Sequence, residues 1–415
     1  MAVLSTTGAV AAPASIETRR SWFVATVAVA VYGVSYGAPM VTVVGLKTIA
    51  EDLGGGRAVP SLAYSVAWLG AAVGGILMGR LAERIGIRWV VSGGAVMIGI
   101  GLAICATGGS TALIVGHGLF MGLLGNACIN APLYIYIARW FDRRRGTALA
   151  LISSGQYVAG AVWPPLFEHT IAAYGWRNTM LVYALFEIAA IIPMAAFVFT
   201  TAPETMHLDA ISGRTRHAGK VIGMPPNVAL GILCFAGLLC CIPMAMPQGH
   251  LVAYCSDIGI PASQGAAMLS VVLGCAFLSR QFWGVLSDRI GGLRTILAGS
   301  VCQVTALIGF LVTQNEFGLF FVAGWFGLGF SGIIPAYVLA MRELFPPSEA
   351  AWRIPTVLMF TGSGMAVGGW LAGAIFDRVG FYEAAFAAGI AINLLHVVVV
   401  GGLVLRQRMV ETRPS

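Results

Sequence analysis

The chain has 415 residues, of which 58% are hydrophobic and only 10% are charged. Soluble domains carry roughly 25% charged residues, so this composition excludes an ordinary soluble protein and indicates one that is built within a lipid bilayer. The formal net charge of +7 does not indicate nucleic-acid binding, because the basic residues stand in short gaps between apolar runs and form no stripe.

The apolar runs predict an all-α membrane protein. Residues 1–20 lack the apolar core of a signal peptide, and we expect a cytoplasmic N-terminal tail there. A helix that spans a bilayer needs about 20 apolar residues. Twelve runs of that kind follow, at 21–47, 60–80, 88–107, 110–138, 146–170, 177–200, 227–253, 262–286, 293–314, 317–342, 353–376 and 380–405. We number the corresponding predicted helices spans 1 to 12.

Basic residues in the gaps alternate between the two sides of the predicted membrane. Most of them stand on the side of the chain ends, and the exceptions on the other side are Lys47, Arg57, Arg177 and Arg378. The positive-inside rule therefore predicts that both termini lie in the cytoplasm, which requires an even number of spans. We expect a multi-pass protein of the plasma (inner) membrane.

The chain is predicted to have two related halves. The longest polar gap, 201–226, reads as a cytoplasmic linker between an N-terminal six-helix bundle at 21–200 and a C-terminal one at 227–405, with a tail at 406–415. A repeated element supports this division. It follows spans 2 and 8, about half the chain length apart, and comprises Gly79, Glu83, Arg84 and Gly86 in the first copy and Gly284, Asp288, Arg289 and Gly291 in the second. Two parallel repeats of this kind predict a transporter whose halves rock about a site near the membrane midplane.

The repeated element, G-x-L-[AS]-[DE]-R-x-G, resembles the signature of the major facilitator superfamily. That resemblance covers about residues 20–405 and implies the major facilitator fold. The glycines suit close helix approach, and the carboxylates and arginines suit helix capping and pairing across the gap. We therefore expect these eight residues to act in gating, by tying the cytoplasmic ends of the halves together.

Within that superfamily, three stretches are similar to the monocarboxylate transporters and the oxalate/formate exchangers. Span 8 carries Arg280-x-x-x-Gly284, span 7 ends in a stretch that begins at His250, and span 1 contains Tyr36-Gly-Ala-Pro-Met40. The resemblance implies that Arg280 is the substrate-binding arginine. Two departures stand out, because the family's proton-coupling lysine falls on Met40 and its span-8 acidic residue falls on Ala276.

The residues themselves also single out Arg280. A guanidinium cannot lose its charge in lipid, so it needs water, an anion or a partner, and it marks a functional site by default. A headgroup-facing arginine at a helix end is the alternative. Further candidate substrate-binding residues are polar or aromatic groups within spans: Tyr36, Asn130, Tyr134, Gln156, Tyr157, Trp325 and Tyr337.

Helical phase separates the candidates in span 4. Asn126, Asn130 and Tyr134 are spaced four residues apart and share one helix face, whereas His117 falls on the opposite side. We favour the Asn/Tyr face for the cavity and helix–helix hydrogen bonding for His117. Glu187 in span 6 and His250 in span 7 are the candidates for proton-linked roles, His250 because it can titrate near neutral pH.

These features lead to a hypothesis of secondary active transport of a small monocarboxylate or related organic anion, with Arg280 as the anion clamp. Only one cation lies in the core, which disfavours a dicarboxylate. Protons or a counter-anion are the candidate coupling partners, in uptake or in export. We expect a monomer in the lipid bilayer, without enzyme activity, cofactor or metal. The alternatives are an exporter of apolar or drug-like compounds and a non-transporting sensor on the same fold.

Overall fold

A computed structural model describes residues 15–200 and 221–411. Most of the predicted linker, 201–226, lies outside the described residues, as do parts of both predicted tails. The described chain is helical apart from one isolated bridge between Val221 and Met224. Within these described ranges, eleven helices are long and apolar enough to cross a membrane. The long helix that follows Arg145–Ser153 takes the remaining place, so the prediction of an all-α protein with twelve spans is confirmed.

The spans are bounded as follows: Arg19–Val44 (span 1), Ala58–Ile85 (span 2), Ile87–Ala106 (span 3), Ser110–Ala138 (span 4), Arg145–Ser153 with Gly155–Tyr174 (span 5), Trp176–Val198 (span 6), Pro226–Asp257 (span 7), Ala262–Ile290 (span 8), Gly292–Val312 (span 9), Glu316–Leu344 (span 10), Pro347–Val379 (span 11) and Glu383–Glu411 (span 12). We call the side where span 1 begins and span 12 ends the terminal side, and the other side the opposite side. Spans 1–6 and spans 7–12 pack as two halves, which meet where span 2 lies against span 11 and span 5 against span 8.

Span 1 is interrupted beside the interface of the halves. Its first helix ends at Ser35 and its second begins at Gly37, because Pro39 lacks an N–H and its ring crowds the carbonyl of the residue four positions earlier. Freed polar backbone must find other partners inside a bilayer. Two neighbouring side chains supply them: Trp163 Nε1 donates to the Gly33 carbonyl at 2.9 Å, and the Tyr183 hydroxyl donates to that of Val34 at 2.7 Å. The break and these two hydrogen bonds therefore fix the position of Tyr36 along the axis of span 1.

Span 4 changes its helical type along its length. A π-helix over Gly116–Asn126 separates the α-helices Ser110–Val115 and Ala127–Ala138. π-helical turns are uncommon and are often found at functional sites. His117 lies in this segment and is fully buried, with Nε2 at 2.9 Å from Thr42 Oγ1 of span 1. The expectation that His117 joins helices is confirmed.

Spans 2 and 4 approach closely through glycine. A Cβ atom at Gly70 would lie 2.8 Å from the backbone nitrogen of Leu123 and 3.2 Å from the carbonyl carbon of Gly122. Helices in lipid rely on such small residues for packing, because no hydrophobic effect drives them together.

We predict that Gly70→Leu destabilises the N-terminal half by about 1–3 kcal/mol, the usual cost of overpacking, because backbone atoms cannot give way. Gly93→Leu is the matched control, since no atom lies within 4 Å of a Cβ there. Thermal unfolding in detergent should show a lowered Tm for Gly70→Leu only. Equal Tm values for the two variants would contradict the packing argument.

Candidate functional site

Span 8 is locked against span 10 on the face next to Arg280. Ser279 Oγ lies 2.7 Å from Ser331 Oγ, and Trp283 Nε1 donates to the Leu328 carbonyl at 2.6 Å. Ser331 stands where span 10 is broken between Phe330 and Ile333. Because residues 279 and 283 are one turn apart, these two contacts fix the rotation of span 8.

The neighbouring face of span 8 points across the interface to span 5. Leu273, seven residues before Arg280 and hence on its face, packs against Gly160. The Arg280 guanidinium carbon lies 5.2 Å from the centre of the Tyr157 ring, within the range of a cation–π contact. The guanidinium of the C-terminal half thus rests on an aromatic ring of the N-terminal half.

Arg280 is half-buried, and the structure gives it no ion pair or hydrogen bond within residues 15–200 and 221–411. The family's acidic position in span 8, Ala276, is a fully buried alanine. A ring face attracts a cation, but it uses none of the five N–H donors of the guanidinium. These donors remain able to bind an anion.

Tyrosines of spans 1 and 4 gather on the N-terminal side of this contact. We call Tyr32, Tyr36, Tyr134 and Asn130 the tyrosine cluster. The rings of Tyr32 and Tyr36 stack at 4.8 Å, Tyr134 stands edge-on to Tyr32 at 6.2 Å, and Asn130 Nδ2 donates to the Tyr36 hydroxyl at 2.9 Å. Tyr134 also lies within the electrostatic range of Arg280. Of the predicted substrate residues, Tyr157 contacts the arginine, whereas Tyr36, Asn130 and Tyr134 come together in the tyrosine cluster.

The cluster contains unsatisfied polar atoms. The side-chain oxygens Asn126 Oδ1 and Asn130 Oδ1 are buried and have no hydrogen-bond partner among the described residues. Such groups normally bond to a protein atom, a water or a ligand. Trp68 of span 2 packs edge-on to Tyr36 at 5.8 Å. Sequence reasoning missed it, although Tyr64 one turn earlier marks the same helix face.

The other predicted substrate residues make contacts elsewhere. Trp325 is 41% exposed on the outer surface of span 10 and donates to Thr305 Oγ1 at 2.9 Å. Tyr337 is fully buried, and its hydroxyl lies 2.9 Å from His396 Nε2 of span 12. Gln156 is half-buried next to Tyr157. Arg280 and the tyrosine cluster contact neither Trp325 nor Tyr337, because the two residues project toward spans 9 and 12.

The two residues predicted for proton-linked roles lie in different surroundings. Glu187 is fully buried in span 6, and both carboxylate oxygens lack a partner among the described residues. His250 is buried near the opposite side, with Nδ1 at 2.8 Å from the Tyr382 hydroxyl and Nε2 at 2.8 Å from the Gly369 carbonyl. Both partners belong to the C-terminal half, and Ser61 of span 2 is the neighbour of His250 from the other half.

A group of four charges joins the halves on the opposite side. We call Lys47, Arg57, Asp257 and Asp377 the outer charge cluster. Arg57 grips Asp257 with both Nη atoms, one of them at 2.7 Å from Oδ1, and Lys47 Nζ reaches the same oxygen at 3.2 Å. Asp377 accepts the backbone N–H groups of Arg57 at 2.7 Å and Ala58 at 2.8 Å, so a carboxylate of one half caps span 2 of the other.

Aromatic rings and His250 surround Arg57. Its guanidinium lies 3.7 Å from the Phe376 ring centre and 5.1 Å from that of Tyr382, and its side chain is only 6% exposed. Ser61, one turn into span 2, lies 3.4 Å from His250 Nε2. Among residues 15–200 and 221–411, these hydrogen bonds and ion pairs join the two halves on the opposite side. The protein is therefore closed on the opposite side.

The repeated loops on the terminal side make contacts within each half. Glu83 pairs with Arg139 at 3.1 Å, and Gly292 donates its N–H to Glu343 Oε2 at 2.9 Å. Gly86 and Gly291 each connect two spans with φ values of +91° and +84°, a conformation that favours glycine. A Cβ atom at Gly79 would lie 3.4 Å from Ile135 Cδ1, whereas no atom lies within 4 Å of a Cβ at Gly284.

The remaining charges of the two loops, Arg84, Asp288 and Arg289, form no ion pair with another described residue. The expected tie between the halves is thus not made in this conformation, because the halves are joined on the other side.

Two packed six-helix halves are an arrangement typical of membrane transporters, and comparison with known proteins identifies the family. The model of the Major Facilitator Superfamily matches residues 22–313 and 228–415. The chain belongs to this superfamily, as its repeated element predicted.

The relatives include the predicted branch. The chain is 26% identical to Monocarboxylate transporter 11 of Mus musculus over 382 residues, which covers 88% of this chain and 83% of that protein. It is 24% identical to the MFS-type transporter pynF of Aspergillus niger over 381 residues, with 88% and 83% covered. Monocarboxylate transporter 13 of Rattus norvegicus is 24% identical over 355 residues, with 81% and 79% covered.

Solved structures share the fold at low sequence identity. A bacterial homolog to the human lysosomal transporter Spinster, in an inward-facing and occupied conformation, superposes with a TM-score of 0.72 at 14% identity, covering 96% of this chain and 99% of that one. The nucleoside transporter NupG gives a TM-score of 0.72 at 13% identity, with 93% and 100% covered.

The loop contacts lead to a prediction about stability. Glu83 and Arg139 are about half exposed, and exposed ion pairs contribute about 0–1 kcal/mol. We expect Glu83→Gln to change Tm in detergent by no more than a few degrees. Arg353→Gln is the contrast, because the Arg353 side chain is only 4% exposed and bonds Glu349 and Asn227. A large Tm loss in Glu83→Gln would show that the loop has further contacts.

Proposed function

We propose that the protein moves a small monocarboxylate, or a related organic anion, across the membrane by alternating access, with Arg280 as the anion clamp. The observation that carries this proposal is the position of Arg280 at the interface of the halves, resting on Tyr157 and without an acidic partner among the described residues. An intramembrane charge of this kind is rare, and it is retained where a ligand or a pathway requires it.

The chemistry of the site favours a single carboxylate. The planar guanidinium binds both oxygens of a carboxylate in parallel, and the low local dielectric strengthens the contact. A second carboxylate would be buried without a cation, because the tyrosine cluster offers hydroxyl and amide groups only. The hydroxyls of Tyr36, Tyr134 and Tyr157 and the unpaired oxygen of Asn130 are suited to polar groups on the rest of the substrate.

The contacts between the halves support the transport cycle. With both termini in the cytoplasm, as the basic residues predict, the outer charge cluster closes the extracellular side and the substrate site is reached from the cytoplasm. In the other state the loop charges Glu83, Arg84, Asp288 and Arg289 would tie the cytoplasmic ends. A bound anion neutralises Arg280, which eases the movement of this residue past the apolar interface. The names of the mouse and rat relatives agree with a monocarboxylate substrate.

Coupling belongs to the same proposal. Protons or a counter-anion complete the cycle. Glu187 is a candidate for proton traffic, and a structural, protonated glutamate is the alternative, because an unpaired buried carboxylate is costly as an anion. His250 is the proposed link between a proton and the outer contact, through Tyr382 and Gly369.

We predict that Arg280→Gln abolishes carboxylate binding and transport. Removing one partner of a buried charge-assisted pair costs about 2–5 kcal/mol, which corresponds to a roughly 30-fold to several-thousand-fold loss of affinity. The binding measurement is a thermal-shift panel of acetate, pyruvate, benzoate and the dicarboxylate succinate, since a bound ligand raises Tm. Transport is measured in proteoliposomes with the carboxylate that gives the largest shift.

Two further variants sharpen this test. Arg280→Lys keeps the charge but not the fork, so we expect intermediate binding. Arg342→Gln is the matched control, because it removes an exposed arginine at the terminal end of span 10. A carboxylate-induced Tm shift that persists in Arg280→Gln would refute the clamp, and a larger shift with succinate than with the monocarboxylates would refute the substrate class.

A further inference from the structure

The outer charge cluster contains two cations that converge on one carboxylate oxygen. Arg57 Nη2 lies 2.7 Å and Lys47 Nζ lies 3.2 Å from Asp257 Oδ1, while Arg57 Nη1 bonds Asp257 Oδ2. Both cations belong to the N-terminal half, at the end of span 1 and the start of span 2. The carboxylate belongs to the C-terminal half.

The cluster must separate when the opposite side opens. Spans 1 and 2 then carry away Lys47 and Arg57, and the C-terminal half carries away Asp257 and the rings of Phe376 and Tyr382 that cover Arg57. Among the described residues of the N-terminal half, no carboxylate contacts either cation. Asp52, the nearby acid in span 1's loop, is already bound to Arg177 and to Trp176 Nε1.

We propose that Lys47 and Arg57 form a second carboxylate-binding site at the extracellular mouth, and that Asp257 occupies it in the closed conformation. The side chain of Asp257 stands where the carboxylate of an incoming substrate would bind, held by the same guanidinium fork and the same ammonium group. The site rests on the proposed function, since it takes the same class of anion that Arg280 takes.

Access to the site agrees with this role. The Lys47 side chain is 38% exposed even in the closed conformation, whereas that of Arg57 is 6% exposed. Lys47 can therefore meet an anion from solution first, and Arg57 adds the bidentate contact. As the halves close, Asp257 replaces the substrate carboxylate on the two cations. One carboxylate leaves and another arrives, so the cations remain paired while the substrate moves on toward Arg280.

A simple lock between the halves would have a different signature. If the cluster only held the halves together, removing a cation or removing Asp257 would break the same contact, and the variants would behave alike. If the cations bind substrate, the variants that remove a cation and the variant that removes the Asp257 charge differ in their transport behaviour. Loss of a cation weakens capture from outside, whereas loss of the Asp257 charge removes a competitor.

The test is transport in proteoliposomes of known orientation, with labelled pyruvate as the probe at constant ionic strength. We expect Arg57→Gln and Lys47→Gln to raise the external KM roughly tenfold or more, the loss of one charge-assisted contact, with an unchanged internal KM for efflux. Asp257→Asn should lower the external KM or leave it unchanged. Arg177→Gln is the matched control, because it removes a cation on the same side whose partner Asp52 lies in its own half.

Each outcome decides the question. The second site is overturned, and a lock remains, if the external KM changes in the same direction in Lys47→Gln, Arg57→Gln and Asp257→Asn. The same conclusion follows if the external KM changes in none of the three variants. If Arg57→Gln does not fold, the half-exposed Lys47→Gln carries the comparison. The proposed function is judged separately. It is contradicted if the wild-type protein does not transport pyruvate or if the Arg280→Gln variant does. If Arg280→Gln loses transport as expected but the cation variants and Asp257→Asn show the same change in external KM, only the second site is contradicted.

Discussion

Burying a guanidinium in a low-dielectric interface costs free energy, and this cost constrains how the two halves of the protein meet. Two arginines lie between the halves, and they are satisfied in different ways. Arg57 is bound by Asp257 and is covered by aromatic rings, and this pairing closes one side of the molecule. Arg280 rests on Tyr157 and has no acid among the described residues. One cation is thus satisfied within the protein, whereas the N–H donors of the other have no partner among the described residues, which supports the proposed anion site.

Backbone interruptions place the residues around that anion site. Spans 1, 5 and 10 are broken at Tyr36, Ser154 and Ser331, and span 4 contains a π-helix that ends at Asn126. The breaks in spans 5 and 10 lie close to a contact between the halves, in which Tyr157 meets Phe330 and Arg280. The carbonyls near the break in span 1 are satisfied by the side chains of Trp163 and Tyr183. In a continuous helix, the directions of these side chains would follow a single helical repeat. An interrupted helix lets side chains and polar backbone groups from different spans meet at the same depth in the membrane.

Sequence reasoning located part of the site and missed the rest for identifiable reasons. The sequence pointed to Tyr36, Asn130 and Tyr134, because polar or aromatic residues that are four positions apart lie on one helix face. Trp325 and Tyr337 were predicted as single aromatic residues in an apolar run, and their partners are Thr305 and His396. A lone aromatic residue in an apolar run does not reveal which neighbouring helix it faces, since all sides of a buried helix are apolar.

The sequence by itself determined the number of spans, and it predicted two halves and singled out Arg280 as a candidate, because apolar length, charge alternation and an untitratable cation are local properties. It also showed Lys47 and Arg57 as exceptions to the positive-inside pattern. Only the tertiary structure revealed that both converge on Asp257 from the other half, about 200 residues away in the chain. Pairing between halves depends on how the spans pack and on which side is closed, and no local pattern encodes either.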